Sequence, residues 1–192
     1  MPEQSSKRQP SRLVVGIAGR IGAGKTSVGK YLESRYGFFY IRYSQVLSDW
    51  KARDPESRAH LQEVGWEVME GGEQVELNRR LVARIEAQSR CAVDGLRHPL
   101  DEETLSQAFS PDFYLLYIHS PEEIRWRRLH EHRPDRYPDL ETFRAVDTYP
   151  VEQHIDLFRG HADAILENNA SLQALYANVD AVLEKLQQGD QA

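Results

Sequence analysis

The chain has 192 residues, a net charge of −6 and a pI near 5.7, with 40% hydrophobic and 28% charged residues. That length suits one domain able to bury about 70% of its unfolded surface. A lone Cys91 excludes a disulfide framework and a multi-cysteine zinc site, and the acidic balance makes the whole molecule a poor binder of polyanions, so no nucleic-acid partner is expected. Five Lys stand against nineteen Arg. Arg carries a planar fork that grips phosphate by two bonds, so where the arginines fall separates anion handling from codon bias.

Residues 1–11 (MPEQSSKRQPS) read as a disordered tail, and residues 189–192 as a second one. The tail lacks the apolar run of a signal peptide, and no stretch approaches the roughly 20 apolar residues that cross a bilayer. A cytoplasmic protein without membrane attachment is expected. From residue 12 to 188 short apolar runs alternate with amphipathic stretches. Leu13–Ala18 reads as a buried parallel strand, Lys25–Tyr36 as a helix ended by Gly37, and Phe38–Tyr43 as a second strand. A helical region follows over about 44–89, then a third strand, Cys91–Val93, ending at Asp94-Gly95. Pro99 opens the next helix, and 112–119 is a fourth strand. Ser120 is expected to cap a helix with Pro121 in its first turn. Ala164–Leu166 is a fifth strand, and Leu172 to Leu186 a closing helix capped by Asn169 or Ser171. The alternation predicts an α/β fold in three layers around a five-stranded parallel sheet.

Gly19-Arg-Ile-Gly-Ala-Gly-Lys25-Thr26 fits G-x-x-x-x-G-K-[ST] directly after a strand and at the start of a helix. Glycines let successive amides form a nest for phosphate oxygens, and the helix start adds its dipole. Gly19, Gly22, Ala23, Gly24, Lys25, Thr26 and Ser27 are therefore candidate nucleotide contacts. Lys25 would bridge the β- and γ-phosphates, and the Thr26 hydroxyl would ligate Mg²⁺. ATP and Mg²⁺ are the implied cofactors. The chain has no N-K-x-D guanine signature, and Gly95 rather than a second carboxylate follows Asp94, which disfavours a GTPase or a motor. Asp94, at the carboxyl end of a strand, either holds Mg²⁺ or accepts a proton from an attacking hydroxyl. Arg97 is placed to clamp an anionic acceptor. The seven His show no metal-ligand spacing.

Residues 16–26 (GIAGRIGAGKT) with 93–99 (VDGLRHP) resemble the small P-loop kinases of the nucleoside monophosphate kinase type. They are most similar to the branch containing dephospho-CoA kinase and the deoxynucleoside monophosphate kinase-like proteins. RAHLQEVG (58–65), the fourth strand with Glu122–Leu129, and HADAILENNASL (161–172) are similar to further segments of that branch. The resemblance implies a helical acceptor region over about 44–89 and a helical lid over about 120–160 whose arginines neutralise the transferring phosphoryl group. Arg125, Arg127, Arg128, Arg133, Arg136 and Arg144 crowd into that lid. Arg128 and Arg133 match the family pattern best and are the candidate catalytic arginines, beside Lys25 and Asp94. Arg127 is expected to face solvent. Arg58, Arg97 and Arg136 are candidate acceptor contacts, Asn168 a candidate purine contact, and Asp49, Trp50 and Arg53 candidate lining of the acceptor pocket. Two departures stand out: Tyr43-Ser44-Gln45 where relatives carry an acid after the second strand, and Val146-Asp147 where they often have Arg-Asp. The implied activity is phosphotransfer from ATP to a small-molecule acceptor, a (deoxy)nucleoside monophosphate first and dephospho-CoA second. The alternative is a nucleotide-binding regulatory module that transfers nothing.

Overall fold

Five apolar runs set the frame: β1 (Leu13–Ala18), β2 (Phe39–Arg42), β3 (Arg90–Asp94), β4 (Phe113–His119) and β5 (Ala164–Glu167). In the computed structural model, which describes residues 12–51 and 58–189, they form one parallel sheet in the order β2-β3-β1-β4-β5. β1 is central and buried along its whole length, as a near-continuous aliphatic run demands when both faces are covered. Alternate residues of each strand serve opposite layers. Val14 and Ala18, with Ile41, Cys91, Val93, Leu115 and Tyr117, pack against α2 (Tyr43–Lys51), α3 (Arg58–Glu70), α4 (Gln74–Ile85) and α5 (Pro99–Phe109). Val15 and Ile17, with Ala92, Leu116 and Ile118, pack against α1 (Lys25–Tyr36) and α9 (Leu172–Gly189). These are the three expected layers.

α6 (Glu122–His132) and α7 (Leu140–Asp147) stand above the carboxyl ends of β1 and β4. They share a third, small core in which Tyr137 and Phe143 close over Ile21 of the glycine loop. A four-residue helix, α8 (Phe158–His161), leads into β5.

One expected cap differs in the structure, and a second resolves to one of its two candidates. Ser120 does not cap α6. Pro121 takes the cap position without a side-chain bond, while the Ser120 carbonyl and hydroxyl accept from Arg125 and Arg128. The reason is burial: Ser120 is only 5% exposed and serves the arginines inside. At α9 the choice falls to Ser171, whose Oγ accepts from Ala174 N at 3.2 Å, whereas Asn169 turns to Glu167. His98 and Asp101 form a reciprocal capping box at α5, and Pro99 sits in its first turn. Both expected tails, at 1–11 and 189–192, fall outside the described residues apart from Gly189, which ends α9.

Leu81 of α4 is fully buried under the sheet. Leu81→Ala should cost about 2–5 kcal/mol, read from urea unfolding. Val75→Ala, at an exposed site on the same helix, should stay within about 0.5 kcal/mol.

Candidate functional site

β1 ends at Ala18 and the chain turns through Gly19 into the loop that starts α1. Gly19 (φ 142°) and Gly24 (φ 111°) occupy backbone conformations open to glycine. Each is also crowded from outside the loop: a Cβ on Gly19 would run into the Ile118 carbonyl, and one on Gly24 into the Asn168 amide. The loop is thus pressed onto the sheet from behind. Lys25 Nζ reaches back across it, donating to Gly19 O at 2.6 Å and Arg20 O at 3.1 Å. Thr26 is exposed and Ser27 half-buried in the first turn of α1.

The parallel register brings Asp94 opposite Ile17 of β1 on one side and Arg42 of β2 on the other. Its carboxylate is 4% exposed and takes two hydroxyl donors on one oxygen: Thr26 Oγ1 at 3.2 Å and Tyr40 Oη at 2.8 Å from Oδ2. Tyr40 lies on β2 and carries no motif that marks it in the sequence. Burial, with the Asp94 charge second, pushes its phenol pKa well above the ordinary value, so it stays a donor. A hydroxyl and a carboxylate at one spot are hard oxygen donors suited to Mg²⁺, which takes its remaining ligands from phosphates and water. Among the described residues no group of three or more His, Cys, Asp or Glu forms a self-contained metal cage.

Beyond Asp94, Arg97 is set by its own backbone. Asp101 Oδ2 accepts from Arg97 N at 2.9 Å and His98 N at 3.0 Å, and Gln74 of α4 donates to Oδ1. The Arg97 guanidinium then lies 3.2 Å from Glu152, a carboxylate only 2% exposed. Gln62 Nε2 joins them, donating to Glu152 Oε1 at 3.0 Å and Val146 O at 3.2 Å. A small cleft beside this cluster is walled by Tyr43, Ser44, Leu47, Gly65, Met69 and Arg97. Glu152 escaped the sequence reading, since nothing in Pro150-Val151-Glu152 marks it as buried. Arg58 opens α3, and its side chain, like all of Arg53, lies outside the described residues. Asp49 and Trp50 do not enter the cleft's wall: Asp49 pairs with Arg84, and Trp50 packs under Lys51 and Arg80.

The arginines expected in the lid divide sharply. Arg125 is 5% exposed and fully engaged: it donates to Ser120 O, to Ile21 O at 3.0 Å and to both oxygens of Asp147 at 2.7 and 3.0 Å. Arg20 approaches the same Asp147 and forks onto Asp156, which also takes the Tyr117 hydroxyl. Asp147, which follows the departure at Val146, is the joint between the loop and α6. Arg128 donates to Asn168 Oδ1 at 3.3 Å and Ala170 O at 3.4 Å, and the Asn168 amide donates to Ala23 O at 2.8 Å. Expected as a catalytic arginine and a purine contact, these two residues are placed as a brace beneath the loop, with Asn168 only 3% exposed. Arg144 pairs with Glu122. Arg127 and Arg133 are exposed and Arg136 half-buried. Between the loop, α6 and the α8 region lies a cavity of about 370 Å³ whose walls include Arg20, Tyr117, Arg125, Asp156 and Arg159.

A glycine loop with Lys25 and Thr26 at the mouth of a parallel sheet, facing Asp94 on the next strand, defines a P-loop protein of α/β type. Residues 15–145 match the AAA domain family, and the chain belongs to it. In structure the chain is similar to the shikimate kinase from Acinetobacter baumannii solved with shikimate, at TM-score 0.58 and 18% identity over 94% of this chain and 96% of that one. A gluconokinase from Sinorhizobium meliloti 1021 matches at TM-score 0.60 and 15% identity, over 93% and 97%. A shikimate kinase from Bacteroides thetaiotaomicron matches at 0.57 and 13%, over 90% and 98%. No curated protein matches the sequence. The shared fold is that of small kinases.

Asp147→Ala leaves Arg125 buried without its counter-charge and should cost about 3–5 kcal/mol of unfolding free energy. Asp147→Leu with Arg125→Leu should recover part of that loss in the same urea titration. Hydrogen bonding from Arg20, foremost, holds the Asp156 carboxyl below its usual range. Its stabilisation is complete above the unfolded value of about 4 and is lost as pH falls through the lowered folded one. Between about pH 6 and about pH 3, wild type should therefore lose more melting temperature than Asp156→Asn.

Proposed function

We propose that this chain is a cytoplasmic, Mg²⁺-dependent phosphotransferase that moves the γ-phosphoryl group of ATP to a small metabolite. The observation that carries the reading is the meeting of Thr26 and Asp94, 3.2 Å apart at the mouth of the P-loop. One oxygen donor set there can serve both the nucleotide's metal and the acceptor. The kinase fold shared with the shikimate kinases and the gluconokinase supports it.

In this reading the loop amides and Lys25 hold the β- and γ-phosphates, the ammonium exchanging the Gly19 and Arg20 carbonyls for phosphate oxygens. Thr26 and Asp94 would hold Mg²⁺, which when bound would supply positive charge against the phosphates. An acceptor oxygen attacks the γ-phosphorus as the bond to the β–γ bridging oxygen breaks, and ADP leaves. If the acceptor is a hydroxyl, Asp94 is placed to take its proton. The 44–89 helices and Arg97 receive the acceptor, with Arg58 at the start of α3. Arg133 and Arg136, the lid arginines not built into the brace, close over the phosphoryl group and exclude water. A nucleoside monophosphate is the first choice of acceptor and dephospho-CoA the second. The relatives in structure add hydroxylated carboxylic acids to the set to be tried.

ADP release should depend on one member of a panel of nucleoside monophosphates, dephospho-CoA, shikimate and gluconate. Nucleotide binding with no acceptor-dependent release across a broad panel would favour the regulatory module instead. Lys25→Ala should lower kcat by about 10²–10³-fold with the fold intact by circular dichroism. Arg133→Ala and Arg136→Ala should each lower kcat by about tenfold or more, while Arg127→Ala leaves it unchanged.

A further inference from the structure

Tyr40 is the one side chain at the Asp94 carboxylate that neither the P-loop motif nor the acceptor region explains. It reaches the site from β2, two strands away from the loop, because β3 lies between β2 and β1. Its hydroxyl donates to Asp94 Oδ2 at 2.8 Å, the same oxygen that accepts from Thr26 at 3.2 Å. The ring gets there by crossing α1 at Gly29. A Cβ on Gly29 would overlap the Tyr40 ring, with ring carbons at 2.6 and 2.7 Å from it. Gly29 is buried and has an ordinary helical neighbourhood, so the turn of the backbone does not demand it there; the close approach of the ring does. A poor helix former is thus kept in the second turn of α1 where it admits one hydroxyl to Asp94.

We infer that Tyr40 is a positioning residue that fixes the plane of the Asp94 carboxylate for the metal, resting on the reading of Thr26 and Asp94 as the Mg²⁺ donors. Thr26 alone is a weak guide, because its hydroxyl turns freely and is itself committed to the ion. A phenol held by a strand and wedged against a helix leaves the carboxylate one orientation. With Tyr40 and Thr26 both on Oδ2, Oδ1 is the oxygen kept for a metal-bound water or the acceptor proton. Partners of this kind, bonded to a ligand rather than to the metal, are typically worth 10–100-fold in metal affinity.

The test is binding of a fluorescent ATP analogue, titrated with Mg²⁺ and repeated in EDTA, with no turnover required. Tyr40→Phe keeps the ring and removes only the donor. It should raise the half-saturating Mg²⁺ concentration by about tenfold while leaving affinity in EDTA at the wild-type value. Gly29→Ala, which displaces the ring and keeps the hydroxyl, should move Mg²⁺ dependence the same way. An unchanged Mg²⁺ midpoint in Tyr40→Phe overturns the inference, and so does a loss of affinity equal in Mg²⁺ and EDTA, which marks a purely structural role. Wild-type binding indifferent to Mg²⁺ is a different result: it removes the metal site itself, and the inference with it.

Discussion

The glycine loop depends on being held from outside. A nest of amides pointing inward must send its carbonyls outward, and buried carbonyls need partners. Asn168 supplies one for Ala23 and Arg125 one for Ile21, while Gly19 is pressed against Ile118. Each support comes from a different element: the β5–α9 turn, α6 and β4. Loop curvature is therefore a property of the whole upper rim of the sheet. Buried Arg125 and half-buried Arg20 complete the rim with buried Asp147, which stands between them, and exposed Asp156. Such an arrangement costs desolvation, and its charges are tolerable only because each is matched and hydrogen-bonded.

That brace changes what the arginine surplus means. Arg20, Arg125 and Arg128 are consumed in fastening α6, α7 and the β5–α9 turn to the loop. Arg133 and Arg136 sit farther along, past the end of α6, with their guanidinium groups not built into that network. The arginines of this region thus fall into two groups, one bonded to the loop and one exposed or half-buried beyond α6. Around Arg97 the same economy recurs. Arg97 is oriented through Asp101 and balanced by buried Glu152, so its cation is already oriented and partly neutralised.

Local pattern made much of this legible. The five strands, the loop, the Pro99 helix start and the closing helix all follow from short-range rules about periodicity, proline and glycine. The candidate nucleotide contacts from Gly19 to Ser27 lie within one turn of chain, so spacing alone groups them. Asp94 was legible because it ends an apolar strand. Asn168 and Arg128 were picked out as functional without their position beneath the loop being visible. Tyr40 and Glu152 carried no signal, since a tyrosine in a strand or an acid in a connecting segment has many ordinary explanations, and Val146-Asp147 did not show that Asp147 joins two arginines.

What the chain determines by itself is each element's type and the identity of the phosphate loop, because those rest on neighbours a few residues apart. What tertiary structure decided is which distant side chains share an atom. Thr26, Tyr40 and Asp94 meet only because the strand order sets β3 between β1 and β2. Arg20, Arg125 and Asp147 meet only because α6 and α7 fold their small core over Ile21. Sheet order and helix docking are settled by burial of faces, which is a sum over the whole core, and no local pattern reports it.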